Sequence, residues 1–202
     1  MSLTVSYQLP LGYPLPRFAL VDTISRGRVS SDDYLGRPLL VCVICNHCPY
    51  VVHIKEGLSR LAVKLLSKGV STLAISANDP ALSPIDAPEK MALDAQIYGY
   101  QFPYAFDTDQ RLARDLRAVC TPEFFLFDKR ARLVYRGQMD DARPNNDEPN
   151  DGHDILATAS ALLAGVAPVD LQKPSMGCSI KWRSENYPEY LAAPQRSAVL
   201  SG

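Results

Sequence analysis

Cys45-Asn46-His47-Cys48 is the segment of this chain best equipped for chemistry. Two thiols at this spacing can close a small disulfide ring or supply half of a metal site. The pair follows the unbroken apolar run 39–44. It precedes Val51, Val52, Ile54, Leu58, Leu61, Ala62, Leu65 and Leu66, which recur at helical spacing. At the junction of a buried strand and a helix N-terminus, orphan N–H groups and the helix dipole favour thiolate over thiol. Cys45 is therefore the expected nucleophile, and Cys48, one turn on and on the same face, the expected resolving thiol.

The other candidates each carry two readings. As an imidazolium beside the thiolate, His47 would lower the pKa of Cys45 and make its disulfide more oxidising. As a solvated histidine at a helix start, it would have its charge opposed by the dipole. Cys42, inside the apolar strand, reads as a small buried hydrophobe. Cys120 lies two residues before Pro122, and Cys178 follows Gly177 in an irregular tail. Either thiol could exchange with the pair or simply pack. A zinc site from Cys45, Cys48, Cys120 and His47 or Cys178 lacks the second C-x-x-C or H-x-x-H of a strong zinc signature, so no metal is expected.

Composition narrows the function classes. The chain has 202 residues, 47% hydrophobic and 21% charged, with a net charge of -1. That is an ordinary globular balance without the basic field that nucleic acid or an anionic membrane would require. The N-terminal residues show no secretory pattern and no run approaches a transmembrane length, so the expected compartment is the cytoplasm. Five cysteines, unevenly spaced, do not make a secreted disulfide scaffold. No G-x-G-x-x-G follows a strand, so no nicotinamide or flavin is expected through that device, and no cofactor is assigned.

The elements that must position the pair follow from periodicity and punctuation. Residues 17–23 form a short strand, with a turn at 25–28 leading onward from Val29. The run 39–44 suits a strand covered on both faces. The helical pattern ends at Lys68-Gly69, and 70–76 reads as a second buried strand, parallel to the first. Residues 88–98 read as a helix, 104–107 as extended and 110–118 as helical. The runs 124–127 and 133–136, joined by a turn at 128–131, form an antiparallel hairpin. The polar loop 140–152 is longer than most connections and is expected to be functional or mobile. Residues 155–163 supply a last helix, ended by Gly165, and the tail from 166 onward lacks strong periodicity.

This order of elements, with Thr121-Pro122 just before a hairpin strand, resembles the thioredoxin-like superfamily. Cys45-Asn-His-Cys-Pro-Tyr-Val51, Cys120-Thr-Pro122 and Gly177-Cys-Ser-Ile-Lys-Trp182 resemble its bacterial redoxin, AhpC/TSA-like branch. The resemblance covers residues 17–182. It implies an α/β thioredoxin-like fold: a central mixed β-sheet flanked by helices, extended by an N-terminal β-hairpin and a C-terminal tail. It also implies that Pro122 is cis and lies against the dithiol, with the Thr121 backbone available to bound peptide. Ile44 stands where many thioredoxins carry a tryptophan.

The reading that follows is one thioredoxin-like domain over 1–165, with the tail 166–202 packed on or near it. Its activity is thiol-disulfide exchange, with Cys45, Cys48, His47, Thr121 and Pro122 at the site and Cys120 and Cys178 as further redox candidates. The partners are a disulfide-containing protein or small molecule and an external thiol reductant. The rivals are a thiol peroxidase and a redox-inactive or zinc-binding module. The peroxiredoxin pattern P-x-x-x-[T/S]-x-x-C is matched by Pro38, Cys42 and Cys45 except that cysteine replaces Thr/Ser, and Pro38 starts a strand rather than following one. Arg117 or Arg143 would be the thiolate-stabilising arginine of such a site.

Overall fold

The computed structural model describes residues 3–6, 9–167 and 172–192. In chain order the strands are β1 (Leu3–Val5), β2 (Ala19–Asp22), β3 (Arg28–Ser30), β4 (Leu39–Val43), β5 (Ser71–Ser76), β6 (Tyr104–Phe106), β7 (Cys120–Thr121), β8 (Glu123–Phe127), β9 (Leu133–Gly137) and β10 (Met176–Ser179). The helices are α1 (Pro49–Ser67), α2 (Pro88–Ile97), α3 (Arg111–Asp115), α4 (His153–Leu163) and α5 (Glu189–Ala192).

The strands form two sheets, a seven-stranded one in the order β3-β2-β6-β5-β4-β8-β9 and a three-stranded one in the order β1-β10-β7. β4 is central in the first and every residue of it is buried, as a strand with neighbours on both edges and layers on both faces requires. β5 lies parallel to it and β8 antiparallel, giving the mixed sheet of a thioredoxin-like fold. The hairpin of β2 and β3 attaches through β2 to β6.

Alternate residues of β4 feed opposite cores. Leu40 and Cys42 join Val51, Leu58, Leu61 and Leu65 of α1, with Met91 of α2 and Ile155 of α4. Leu39, Val41 and Val43 join Leu112 of α3, Phe125, Phe127, Ile180 and Trp182 on the other face. α1 starts at Pro49, whose missing N–H falls where it is not needed. It ends in a full Schellman arrangement: Gly69 takes φ 82°, its N–H reaches the Leu66 carbonyl, and the Val70 N–H reaches the Leu65 carbonyl.

Three expectations change. The helix placed at 110–118 is the shorter α3, because the Asp107 carboxylate captures the Leu112 and Ala113 N–H groups and Arg117 adopts φ 51° after its last turn. The helix N-terminus expected at Cys45 lies at Cys48, since α1 begins at Pro49. The tail holds a strand, β10, while tail residues 168–171 and 193–202 lie outside the described residues. Among the described residues, no helix is long and apolar enough to cross a membrane.

Candidate functional site

The register of β4 against β8 builds the site. Val43 pairs with Glu123, so two residues further along each strand Cys45 comes to Thr121. The Cys45 sulfur lies 3.3 Å from the Thr121 hydroxyl, and the Cys48 sulfur lies 3.1 Å from the Thr121 carbonyl oxygen. The Thr121-Pro122 peptide is cis, as the resemblance implies. Below it the Arg136 guanidinium donates to the buried Glu123 carboxylate at 2.6 and 2.8 Å. The other Glu123 oxygen accepts the Val119 N–H at 2.9 Å, which fixes the turn that carries Thr121.

The loop between the cysteines is held from all sides. Asn46 donates its N–H to Asp86 at 2.7 Å and its side-chain amide to the Ile85 carbonyl at 2.8 Å. It accepts Lys55 on its carbonyl at 2.9 Å and the Tyr104 hydroxyl on its side chain at 3.2 Å. Asp86 is fully buried yet satisfied: Asn46 reaches one oxygen, while His47 Nδ1, Asn78 and Ser83 reach the other at 2.7–2.8 Å. His47 is thereby docked on a carboxylate rather than left in solvent.

The electrostatics distinguish the two thiols. Cys48, not Cys45, is the N-cap of α1. Its sulfur is approached by the Cys45 thiol, by the Cys178 thiol and N–H, and by the Val51 N–H, and these donors pull its pKa down against burial. The Thr121 carbonyl acts in the opposite sense, since it accepts from a Cys48 thiol and repels a thiolate. Cys45 is pushed up, because it gives its hydrogen bond to Cys48, is buried, and faces the Asp86 charge; the Thr121 hydroxyl only partly offsets this. The two thiols are hydrogen-bonded to one another, so they titrate as a coupled pair.

The other cysteines sort by place. Cys42 is fully buried in β4, and burial pushes its thiol up. Cys120 points its thiol at the Pro122 carbonyl, 3.9 Å away, and is likewise pushed up by burial. Cys178 stands opposite Thr121 in the β7–β10 pairing and packs in the same core as Cys45 and Cys48.

A match to the AhpC/TSA family model covers residues 11–136. The chain belongs to the AhpC/TSA family. Among solved structures it is similar to an uncharacterized conserved protein from Geobacillus kaustophilus, at 44% identity over 91% of this chain and 98% of that one, with a TM-score of 0.88. It is similar to a hypothetical protein from Sinorhizobium meliloti 1021, at 38% identity over 90% and 99%, with a TM-score of 0.86. A putative thiol:disulfide interchange protein DsbE from Chlorobium tepidum shares the fold, at 18% identity over 77% and 99%, with a TM-score of 0.61. No protein with a curated description matches this chain.

Within this AhpC/TSA family member the peroxiredoxin spacing can also be set on Cys48. Cys45 then occupies the Thr/Ser position and Val41 the proline position, so the pattern is incomplete in either register. Arg143 donates to the Asp140 and Ala142 carbonyls and to the Gln138 side chain, and with Tyr50, Pro122 and Met139 it lines a small cavity beside the cis peptide. Cys45, His47 and Asp86 bring metal-capable atoms within 4.8 Å of one another. The donors already on both Asp86 oxygens make that trio a poor cation cradle.

Asp86, Asn46, Lys55 and Glu123 are the site residues that sequence reasoning missed. Asp86 and Glu123 meet the dithiol only through the fold, Asp86 from 40 residues beyond the Asn46 N–H it accepts, whereas Asn46 and Lys55 lie near the pair in sequence but carry no local signal of their hydrogen bonds. The start of α1 was the one element with a local signal: Pro49 at the first helical position marks Cys48 as the cap.

Proposed function

We propose that this chain exchanges disulfides through the Cys45–Cys48 dithiol, with Cys48 carrying the first thiolate. The observation that carries this reading is the placement of Cys48 at the cap of α1, with Cys45, Cys178 and Val51 hydrogen-bonded around it. Cys48 attacks one sulfur of a substrate disulfide, forming a mixed disulfide and releasing the other substrate sulfur as a thiolate. Cys45 then gives up its proton and attacks the Cys48 sulfur. This closes the Cys45–Cys48 disulfide and frees the second substrate thiol, so two electrons reach the substrate. His47, docked on Asp86 through Nδ1, is the nearby base that takes that proton in this reading. An external thiol restores the dithiol, and the substrate is a disulfide in a protein or small molecule.

The test is insulin-type disulfide reduction. Cys48→Ser should abolish it. Cys45→Ser should still form the first adduct at Cys48 but turn over slowly. Full activity in Cys48→Ser would end this assignment. Peroxide reduction is the second reading, favoured by a thiolate at a helix cap. Loss of the Cys48 thiol to stoichiometric hydrogen peroxide, far faster than for a free thiol, would rank it first.

A further inference from the structure

We propose that Cys178 is a third exchange thiol of this site, held by β10 so that it forms a disulfide with Cys48 once Cys48 is oxidised. The proposal rests on the reading of Cys48 as the reactive sulfur and adds an internal partner to it. β10 pairs antiparallel with β7, with Cys178 opposite Thr121, the residue that both cysteines of the dithiol touch. Gly177 lets the strand come this close, because a Cβ there would collide with the Thr121 carbonyl oxygen and crowd Pro122. The other edge of β10 is closed by β1.

The strand is fixed beyond the thiol as well. The Lys181 N–H donates to Asn78 at 2.8 Å, its carbonyl accepts the Asp79 N–H at 2.9 Å, and Ile180 and Trp182 are buried in the core on the far side of the main sheet. Cys178 is therefore seated against the dithiol rather than carried on a passing tail. Its thiol and N–H both hydrogen-bond with Cys48, which thus has Cys45 and Cys178 as its two thiol neighbours.

That pair of neighbours defines the chemistry. With a Cys45–Cys48 disulfide in place, the Cys178 sulfur attacks Cys48. The Cys48–Cys178 bond forms, the Cys45–Cys48 bond breaks, and the proton lost by Cys178 ends on Cys45, with no net change in oxidation. With a mixed disulfide between Cys48 and a small thiol, the same attack expels that thiol and leaves the Cys48–Cys178 disulfide. Burial and the neighbouring Cys48 charge hold the Cys178 thiol at about 12 in the reduced protein, so it is silent there. Oxidation of Cys48 removes the charge, and the nearby thiol becomes competent.

The test treats the full-length Cys45→Ser protein with glutathione disulfide, quenches by alkylation and maps the peptides without reduction. A Cys48–Cys178 disulfide should accumulate and the glutathione adduct on Cys48 should be lost, while the Cys45→Ser/Cys178→Ser protein should retain that adduct. A persistent adduct on Cys48 with an alkylated Cys178 in the single variant overturns the proposal and leaves the reactive-Cys48 reading intact. An unreacted Cys48 overturns both. The same map on the unsubstituted protein, which needs no variant to fold, should show Cys178 joined to Cys48 in part of the oxidised population; Cys178 alkylated throughout counts against it.

Discussion

Two thiols that titrate as a coupled pair are told apart by their neighbours, and here the neighbours are unequal. Cys48 has the helix terminus and the Val51 N–H, whereas Cys45 faces the carboxylate of Asp86. The consequence is an asymmetric reactivity at neutral pH. Brief iodoacetamide treatment near pH 7, below the roughly 8.5 of a free thiol, should label one cysteine of the pair, and peptide mapping should place the label on Cys48. Its labelling should fade only as pH falls through the lowered value. Asp86→Asn removes one of the influences that hold Cys45 up, so Cys45 should then label at lower pH than before; no movement would mean that the Cys48 hydrogen bond and burial set it. The sequence made the dithiol legible because strand, C-x-x-C and helix stand in local order. The asymmetry proposed between the two sulfurs was not legible there, since Asp86 reaches the Asn46 N–H from 40 residues away.

The elements of the main sheet and its helices were legible, and those of the small sheet were not. β4, α1, β5, α2 and the β8–β9 hairpin all announce themselves by an apolar run, a helical stripe or a turn. β1, β7 and β10 span two to four residues, too few for alternation to register, and their pairing joins the two ends of the chain to the turn before Pro122. Gly177 is the residue on which this small sheet depends. Gly177→Ala places a methyl group against the Thr121 backbone, a contact with no flexible end to move aside. The expected cost is about 1–3 kcal/mol, as for overpacking elsewhere. Urea unfolding should show a lower midpoint at unchanged slope, with faster alkylation of Cys178. An unmoved midpoint would mean that β10 is not seated on Thr121 as described.

At the scale of the whole molecule, the main sheet separates a core that contains the three site cysteines from a second core that the tail helps to close. The alternation along β4 makes this division readable in the sequence, but the partner of the second face is not, because Ile180 and Trp182 sit in a segment without periodicity. Trp182 is 7% exposed and is the single tryptophan of the chain. Truncating a buried tryptophan costs about 3–5 kcal/mol, against a total stability of roughly 5–15 kcal/mol for a typical domain. Among the described residues its indole N–H has no hydrogen-bond partner, so the native side chain already carries a desolvation penalty of about 1–3 kcal/mol that the alanine variant escapes. The expected loss for Trp182→Ala therefore lies toward 3 kcal/mol. Because β10 lies immediately before this anchor, the thiol at Cys178 should become more accessible in the same variant. Leu82→Ala, at an apolar position that is 63% exposed, should stay within about 0.5 kcal/mol and serves as the control. Far-ultraviolet circular dichroism during urea unfolding reads both variants without relying on tryptophan emission. If Trp182→Ala unfolds at the same midpoint as Leu82→Ala, the tail does not close the second core, and the seating of Cys178 must depend on β1 and β7 alone.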